Sequence, residues 1–234
     1  MAMVLVTSDT AEQRKGSAVR SISSREWALL AIILVYSSVP SIGGLARVFE
    51  LLGGPAVMPA NPRALADPLP VVLHGLSSSL FCLVGALQFL PSLRRDFPAT
   101  HALVGRVIAS AGCVSALTGL WMTHVFAFPT ELQGSLLYGV RIALSLSMVG
   151  LIVRAVVAIR SRDVRAHSAS MLRAYAIGQG ASTQAVVGIG WIILVGSEPH
   201  GPLRDAMMVL SWGLNLLIAE LLISRAFALR TRPT

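Results

Sequence analysis

Two histidines lie in similar sequence contexts and carry the clearest chemical suggestion in the chain. His101 follows an Arg-Asp pair and precedes Arg106, and His167 follows an Arg-Asp pair and precedes Arg173. Imidazole is a common ligand of iron and copper, and two facing histidines can hold a haem iron axially. Arginine binds carboxylate and phosphate groups, so Arg106 and Arg173 are candidates to hold haem propionates or a lipid headgroup. The alternative is that both histidines simply lie at headgroup level, where polar side chains are inexpensive.

His74 is a third candidate metal ligand, about one turn into the second apolar run. It lies on the opposite side of the membrane from His101 and His167 in the expected topology. His124 is on the same side as His74, but it follows His101 by about 34 Å of helix at 1.5 Å per residue. The separation argues against a conventional two-haem bundle. The sequence therefore favours haem b or a transition metal at His101 and His167, with His74 as an additional ligand candidate.

The last apolar run carries a carboxylate, Glu220, and an amide, Asn215. Ionisable groups within a membrane are costly and mark a functional hypothesis. A carboxylate there needs a partner or a proton, and Arg106 and Arg173 enter from the same side. Two interpretations stay open. Glu220 forms an ion pair that fixes helix packing, or Glu220 and Asn215 are catalytic groups beside a redox or substrate site.

The composition places these residues in a membrane protein. The chain has 234 residues, of which 54% are hydrophobic and 13% are charged. A soluble domain has about twice that charged fraction. Six stretches are long and apolar enough to cross a bilayer, which needs roughly 20 residues of helix. They are predicted at about 27–46, 70–91, 103–126, 135–159, 172–195 and 206–227. The fold class predicted is an all-α bundle of six transmembrane helices.

The charges predict an orientation and a domain layout. Most of the 19 basic residues flank the apolar runs on one side, the side that holds both termini. The positive-inside rule then places both ends in the cytoplasm and favours the cell membrane as the location. Residues 1–25 and 229–234 are predicted as cytoplasmic tails around a transmembrane domain at 26–228. The net charge of +8 fits anionic lipid headgroups, and no nucleic-acid-binding motif accompanies it.

From the second apolar run onward, the chain resembles the multi-pass membrane family catalogued as domain of unknown function 2306. The resemblance covers about residues 70–225 and implies a shared fold and shared candidate residues, without an activity. The chain departs from the family at Ser170, where an aromatic is common, and near Gln184, where an arginine is expected. The matching residues are His74, Gln88-Phe89, His101-x-x-x-Gly105-Arg106, Arg162-Asp163-x-x-x-His167, Met171-x-Arg173-x-Tyr175-Ala176 and Trp212-x-x-Asn215-x-x-x-x-Glu220.

Three functions are compatible with these residues. The first is a redox protein that binds haem or metal through His101 and His167 and exchanges electrons with a quinone or another lipophilic partner. The second is a membrane enzyme or carrier without a cofactor, in which Glu220, Asn215, His74 and the arginines line a pocket for a small hydrophobic molecule. The third is a structural or assembly subunit. The lipid bilayer is the one partner common to all three.

Overall fold

The computed structural model describes residues 22–228, so the predicted tails at 1–25 and 229–234 lie almost entirely outside the described residues. Within residues 22–228 the chain is helical, with short loops and no strand. The helices are α1 (Ser24–Leu51), α2 (Pro62–Ala66), α3 (Pro68–Leu83), a 3-10 helix (Val84–Phe89), α4 (Pro91–Asp96), α5 (Pro98–Val125), α6 (Ser135–Arg160), α7 (Val164–Gly178), α8 (Gly180–Val195) and α9 (Gly201–Ala228).

Six segments of the described chain are long and apolar enough to cross a membrane, which confirms the predicted fold class. They are α1, α3 with the 3-10 helix, α5, α6, α7 with α8, and α9. The prediction for the fifth crossing was wrong in detail, because it begins at Val164 and is broken near Gln179. With six crossings, Ser24 and Ala228 lie on the same side. That side is called the terminal face, and the opposite side the distal face.

Local signals explain where the helices begin and end. Proline occupies the first turn of α2, α3, α4 and α5, where its missing amide costs no hydrogen bond. Ser23 and Glu26 form a reciprocal capping box at the start of α1. Gly196 ends α8 in the left-handed conformation, with φ of 78°. These signals set the ends of the helices.

The crossing helices form a closed bundle around a small apolar core. The second crossing helix, α3, packs between α1 and α5. Helix α6 packs on α5 and α7, and α9 packs on α7 and α8. Contacts between α8 and α1 close the ring. Phe81, Ile108 and Ile152 are at most 2% exposed at its centre. Gly112 permits this packing, since a Cβ atom there would lie 2.6 Å from the Phe81 ring.

The first distal loop is fixed against the bundle. Glu50 accepts hydrogen bonds from the amides of Val57 and Met58, at 2.5 and 2.6 Å. Arg47 pairs with Glu50 at 2.7 Å and donates to the Pro59 carbonyl at 2.5 Å. The loop therefore covers the distal end of the bundle and brings α2 over its interior.

Candidate functional site

A cavity of about 460 Å³ lies inside the bundle and extends from the distal loops to the break in the fifth crossing. It will be called the distal cavity. Along α6 its wall runs from Arg141 to Met148, which is roughly 10 Å of helix. Its volume falls within the usual range for small-molecule sites. Its polar lining residues are Ser41, Arg47, Asn61, Arg63, His74, Ser78, Cys82, Ser115, Thr123, Arg141, Ser145, Ser182, Gln184 and Trp212.

The two ends of the distal cavity differ in character. The distal end carries Arg63 and Arg141, and no aspartate or glutamate is among the residues that line the cavity. The end at mid-membrane is formed largely by small and apolar residues, including Met148, Ile177 and Gly178. The cavity is therefore amphipathic, with positive charge near the membrane surface and an apolar floor.

His74 lines the distal cavity and has one hydrogen-bond acceptor to spare. Its Nδ1 lies 3.0 Å from the Ser115 carbonyl oxygen and 3.2 Å from Thr118 Oγ1. A carbonyl oxygen only accepts, so the neutral ring must hold its proton on Nδ1. Nε2 then carries the lone pair, and it has no hydrogen-bond partner among residues 22–228.

The floor of the distal cavity is the break in the fifth crossing, at residues 178–180, which will be called the helix break. A broken helix leaves carbonyl groups at the end of its first half without amide partners. Side chains from two neighbouring helices approach these carbonyl groups in place of the missing amides. Asn215 Nδ2 donates to the Ala176 carbonyl at 3.3 Å, and Trp212 Nε1 donates to the Ile177 carbonyl at 3.1 Å. Cys82 Sγ lies 3.6 Å from the Gly178 carbonyl.

A buried polar network joins the helix break to α1 and α9. Gln179 Nε2 donates to Ser37 Oγ at 2.7 Å, and Ser182 Oγ donates to Gln179 Oε1 at 2.8 Å. Thr183 Oγ1 donates to Asn215 Oδ1 at 2.7 Å and is itself bonded to the Tyr36 hydroxyl. Hydrogen bonds of this kind between helices are the main polar contribution to packing in a membrane. The network therefore stabilises the broken conformation of the fifth crossing.

The predicted catalytic residues do not line the distal cavity. Asn215 is 8% exposed, and its side chain forms hydrogen bonds with Ala176 and Thr183 on the two sides of the helix break. Glu220 forms a two-pronged ion pair with Arg173, at 2.5 and 2.7 Å, and its side chain is 50% exposed. Arg173 is thus the partner of Glu220, while Arg106 is exposed and does not join the pair. Of the three residues expected to line one polar pocket, His74 lines the distal cavity, whereas Glu220 and Asn215 are not among its lining residues. The catalytic roles of Glu220 and Asn215 stay predictions.

The structure brings two of the three predicted metal ligands near each other. His101 and His167 are close enough for their charges to interact. His167 Nδ1 lies 3.0 Å from the Ala155 carbonyl, and the Nδ1 atom of His101 is buried without a partner in the described chain. His74 contacts Ser115, which is roughly 21 Å along α5 from His101. Across residues 22–228, no group of three or more His, Cys, Asp or Glu side chains is arranged to hold a metal.

Sequence reasoning did not bring together the two arginines at the distal end of the cavity. Arg63 and Arg141 both lie over the ring of Phe128, with guanidinium carbons 4.9 and 5.5 Å from its centroid. These three residues belong to three separate segments, so no local spacing relates them. The proline-rich first loop was the one feature that could have indicated this arrangement. A loop that packs over the end of the bundle brings Arg63 to the cavity.

Comparison with known proteins supports the resemblance noted above. A family model described as "Predicted membrane protein (DUF2306)" matches residues 71–223, which include His74, the helix break and the ion pair of Glu220. Arg63 precedes the matched region. Neither a curated protein nor a solved structure matches the chain.

Proposed function

This chain belongs to the DUF2306 family of predicted membrane proteins, and we propose that it binds a small amphipathic molecule in the distal cavity and acts as its carrier. The observation that supports this proposal is the cavity itself, which is lined by the crossing helices and extends from the distal loops to the helix break. Small-molecule sites in helix bundles are typically concave, mostly apolar and marked by a few converging polar groups. His74 Nε2 and the arginines at the distal end are such groups.

The helix break supports a carrier more than an enzyme. Carriers commonly place their sites at discontinuous helices near the bilayer midplane, where a short rearrangement of the backbone alters access. Gly178, Ala181 and Ser182 flank the break and also line the floor of the cavity. A catalytic histidine, by contrast, is commonly oriented by a carboxylate, and no carboxylate is among the residues that line the cavity with His74.

Binding can be tested through Trp212, which lines the cavity floor. Replacing the other three tryptophans with phenylalanine leaves Trp212 as the main fluorophore. A bromine atom quenches indole fluorescence on contact, so ω-bromododecanol and ω-bromododecanoate are suitable probes. Saturable quenching in mild detergent is the expected result. The tryptophans to be replaced are Trp27, Trp121 and Trp191.

Two serine variants in α6 provide a matched comparison. Ser145 lines the distal cavity, whereas Ser147 is exposed on the outside of the bundle. Ser145→Phe should fill the cavity and abolish saturable quenching, while Ser147→Phe should leave it unchanged. Equal quenching in both variants would mean that the probes bind elsewhere, and the proposal would then be rejected.

Carriage needs a separate measurement in reconstituted vesicles. A fluorescently labelled dodecyl phosphate or dodecyl maltoside is placed in both leaflets, and dithionite is added outside to bleach the exposed label. Protein that moves the amphiphile between leaflets should make the inner half of the label accessible, and Ser145→Phe should prevent this. Binding without exchange would restrict the function to ligand binding.

A second candidate function rests on the terminal face. The proximity of His101 and His167, with a buried unpartnered nitrogen on His101, favours the earlier expectation of a haem or metal site there. The Ala155 carbonyl fixes the ring of His167 so that Nε2 is available as a ligand. A bound haem or transition metal would supply electron transfer, with a quinone as a lipophilic partner. The two histidines would provide the ligands and orient the group.

The visible absorption spectrum and metal content of the purified protein test this second candidate. A haem or metal signal should disappear in His101→Ala and in His167→Ala. It should persist in His124→Ala, since His124 lies at the distal end of α5. A signal that survives both terminal-face variants would rule out these two histidines as ligands.

A further inference from the structure

The distal end of the cavity has a concentrated positive charge. Arg63 from α2 and Arg141 from α6 both stack on Phe128, and this trio will be called the basic mouth. Because each guanidinium carbon lies within 5.5 Å of the same ring centroid, both charges are held at one place. Stacking on an aromatic ring fixes a guanidinium while leaving its edge free for hydrogen bonds.

The charges of the basic mouth are not neutralised by carboxylates in direct contact. Among residues 22–228, Arg63 and Arg141 form no salt bridge, whereas the neighbouring Arg47 is paired with Glu50. Arg141 donates to the Gln133 side-chain oxygen at 2.5 Å, which is a neutral partner. Two unneutralised arginines that border a partly apolar cavity are costly unless an anion joins them.

More distant charges do not cancel this surplus. Arg204 and Asp205 both interact electrostatically with Arg141. Asp205 is 4% exposed and accepts a hydrogen bond from the Gly134 amide at 3.3 Å, outside the lining of the cavity. Since Arg204 and Asp205 carry opposite charges, they roughly offset each other and leave the positive charge of Arg141 and Arg63 in place.

We propose that the basic mouth binds the anionic head of the carried molecule, a carboxylate or a phosphate, while its apolar chain lies toward the helix break. Arginine matches both head groups by paired hydrogen bonds. The apolar floor, with Met148 and Ile177, suits a hydrocarbon chain. This inference rests on the proposed binding function, because it assigns a ligand class and an orientation to the same cavity.

A series of probes with one chain and four heads tests the inference in the unmodified binding site. The probes are ω-bromododecanoate, ω-bromododecyl phosphate, ω-bromododecanol and ω-bromododecyltrimethylammonium, measured by quenching of Trp212 under conditions that ionise the carboxylate. At least one anionic probe should bind about tenfold more tightly than the alcohol, as expected for one charge-assisted hydrogen bond. The cationic probe should bind more weakly than the alcohol. Whichever of the two anions binds more tightly identifies the head group.

Arginine variants then test which residues produce the preference for an anionic probe. Arg63→Gln and Arg141→Gln should each reduce the affinity for the preferred anion about tenfold and leave the affinity for the alcohol unchanged. Arg154→Gln is the matched control, because Arg154 is exposed near the other end of α6 and should leave both affinities unchanged. Retained alcohol binding also reports that each variant is folded, and Arg141→Lys should restore part of the preference.

The outcomes separate this inference from the function on which it rests. Equal affinity for the alcohol and both anions, with binding still lost in Ser145→Phe, would overturn the basic mouth but leave the carrier proposal intact. An anion preference that persists in both Arg63→Gln and Arg141→Gln would also overturn it. Absence of saturable binding by any probe would instead reject the proposed function.

Discussion

Asn215 offers the sharpest test of how the helix break is stabilised. The sequence marked it as a catalytic candidate, but its amide joins Ala176 in α7 to Thr183 in α8. Asn215→Leu keeps a side chain of similar size and removes both hydrogen bonds. The Ala176 carbonyl and the Thr183 hydroxyl then lose a partner within a bundle that water does not readily enter.

The expected cost follows from these contacts. A typical intramolecular hydrogen bond contributes about 0.5–1.5 kcal/mol, and pairs measured within membrane bundles average about 0.6 kcal/mol. Loss of two bonds, with one carbonyl left unpaired, should lower the free energy of unfolding by about 1–3 kcal/mol. Trp212→Phe removes the side-chain donor to the Ile177 carbonyl and keeps an aromatic ring, so about 1 kcal/mol is expected there.

Stability can be measured by reversible unfolding in mixed micelles, followed by far-ultraviolet circular dichroism. Trp191→Phe is the matched control for Trp212→Phe, since no hydrogen bond is found for the Trp191 indole within the described chain. It should change the free energy of unfolding by less than about 0.5 kcal/mol. The double variant Trp212→Phe/Asn215→Leu should lose less than the sum of the single variants if the capped carbonyls support one another, because each single variant already loses their coupling energy.

Two results would refute this reasoning. If Asn215→Leu and Trp212→Phe were as stable as Trp191→Phe, side-chain capping would not stabilise the helix break. If Asn215→Leu kept full stability but lost binding of the bromododecyl probes, Asn215 would act on the ligand, as the sequence first suggested.

Three further predictions concern packing, the ion pair and His74. Gly112→Ala should destabilise the protein by about 1–3 kcal/mol in the same unfolding assay, because its new methyl group meets Phe81, whereas Gly139→Ala, which faces open space, should not destabilise it. Glu220→Gln should cost at most about 1 kcal/mol, since its partly exposed ion pair is weak, and quenching by the probes should be unchanged. His74→Leu should weaken ω-bromododecanol binding severalfold in the Trp212 assay, because the hydroxyl group loses its acceptor at Nε2.

The sequence predicted the membrane bundle well because hydropathy and length are local properties. Six apolar runs and their proline-rich boundaries identify the crossings directly, and the partner of Glu220 was among the two arginines named in advance. The suggestion that His101 and His167 act together also came from a local repeat, and the charges of the two rings interact in the structure. Their role as ligands stays a prediction.

The cavity was beyond sequence reasoning for a physical reason. Its wall is built from residues on separate helices, and only three-dimensional packing decides which of them meet. The break at Gln179 was not predicted, because the run contains no proline, although Gly178 and Gly180 flank this residue. Likewise, a polar residue in a membrane segment, such as Asn215, suggests a functional role when only the sequence is known. The structure shows that its amide donates a hydrogen bond to the released carbonyl of Ala176.

The helix break also has a consequence for how the chain is assembled in the membrane. Its two halves, α7 and α8, have 15 and 16 residues, and neither alone reaches the roughly 20 residues that a crossing needs. Two of the three donors to its released carbonyls come from α9, which leaves the ribosome after both halves. The fifth crossing thus stays incompletely bonded until α9 has been inserted. Chains that end before Trp212 should accordingly be unstable and open to membrane proteases, which makes α9 the step that completes biogenesis.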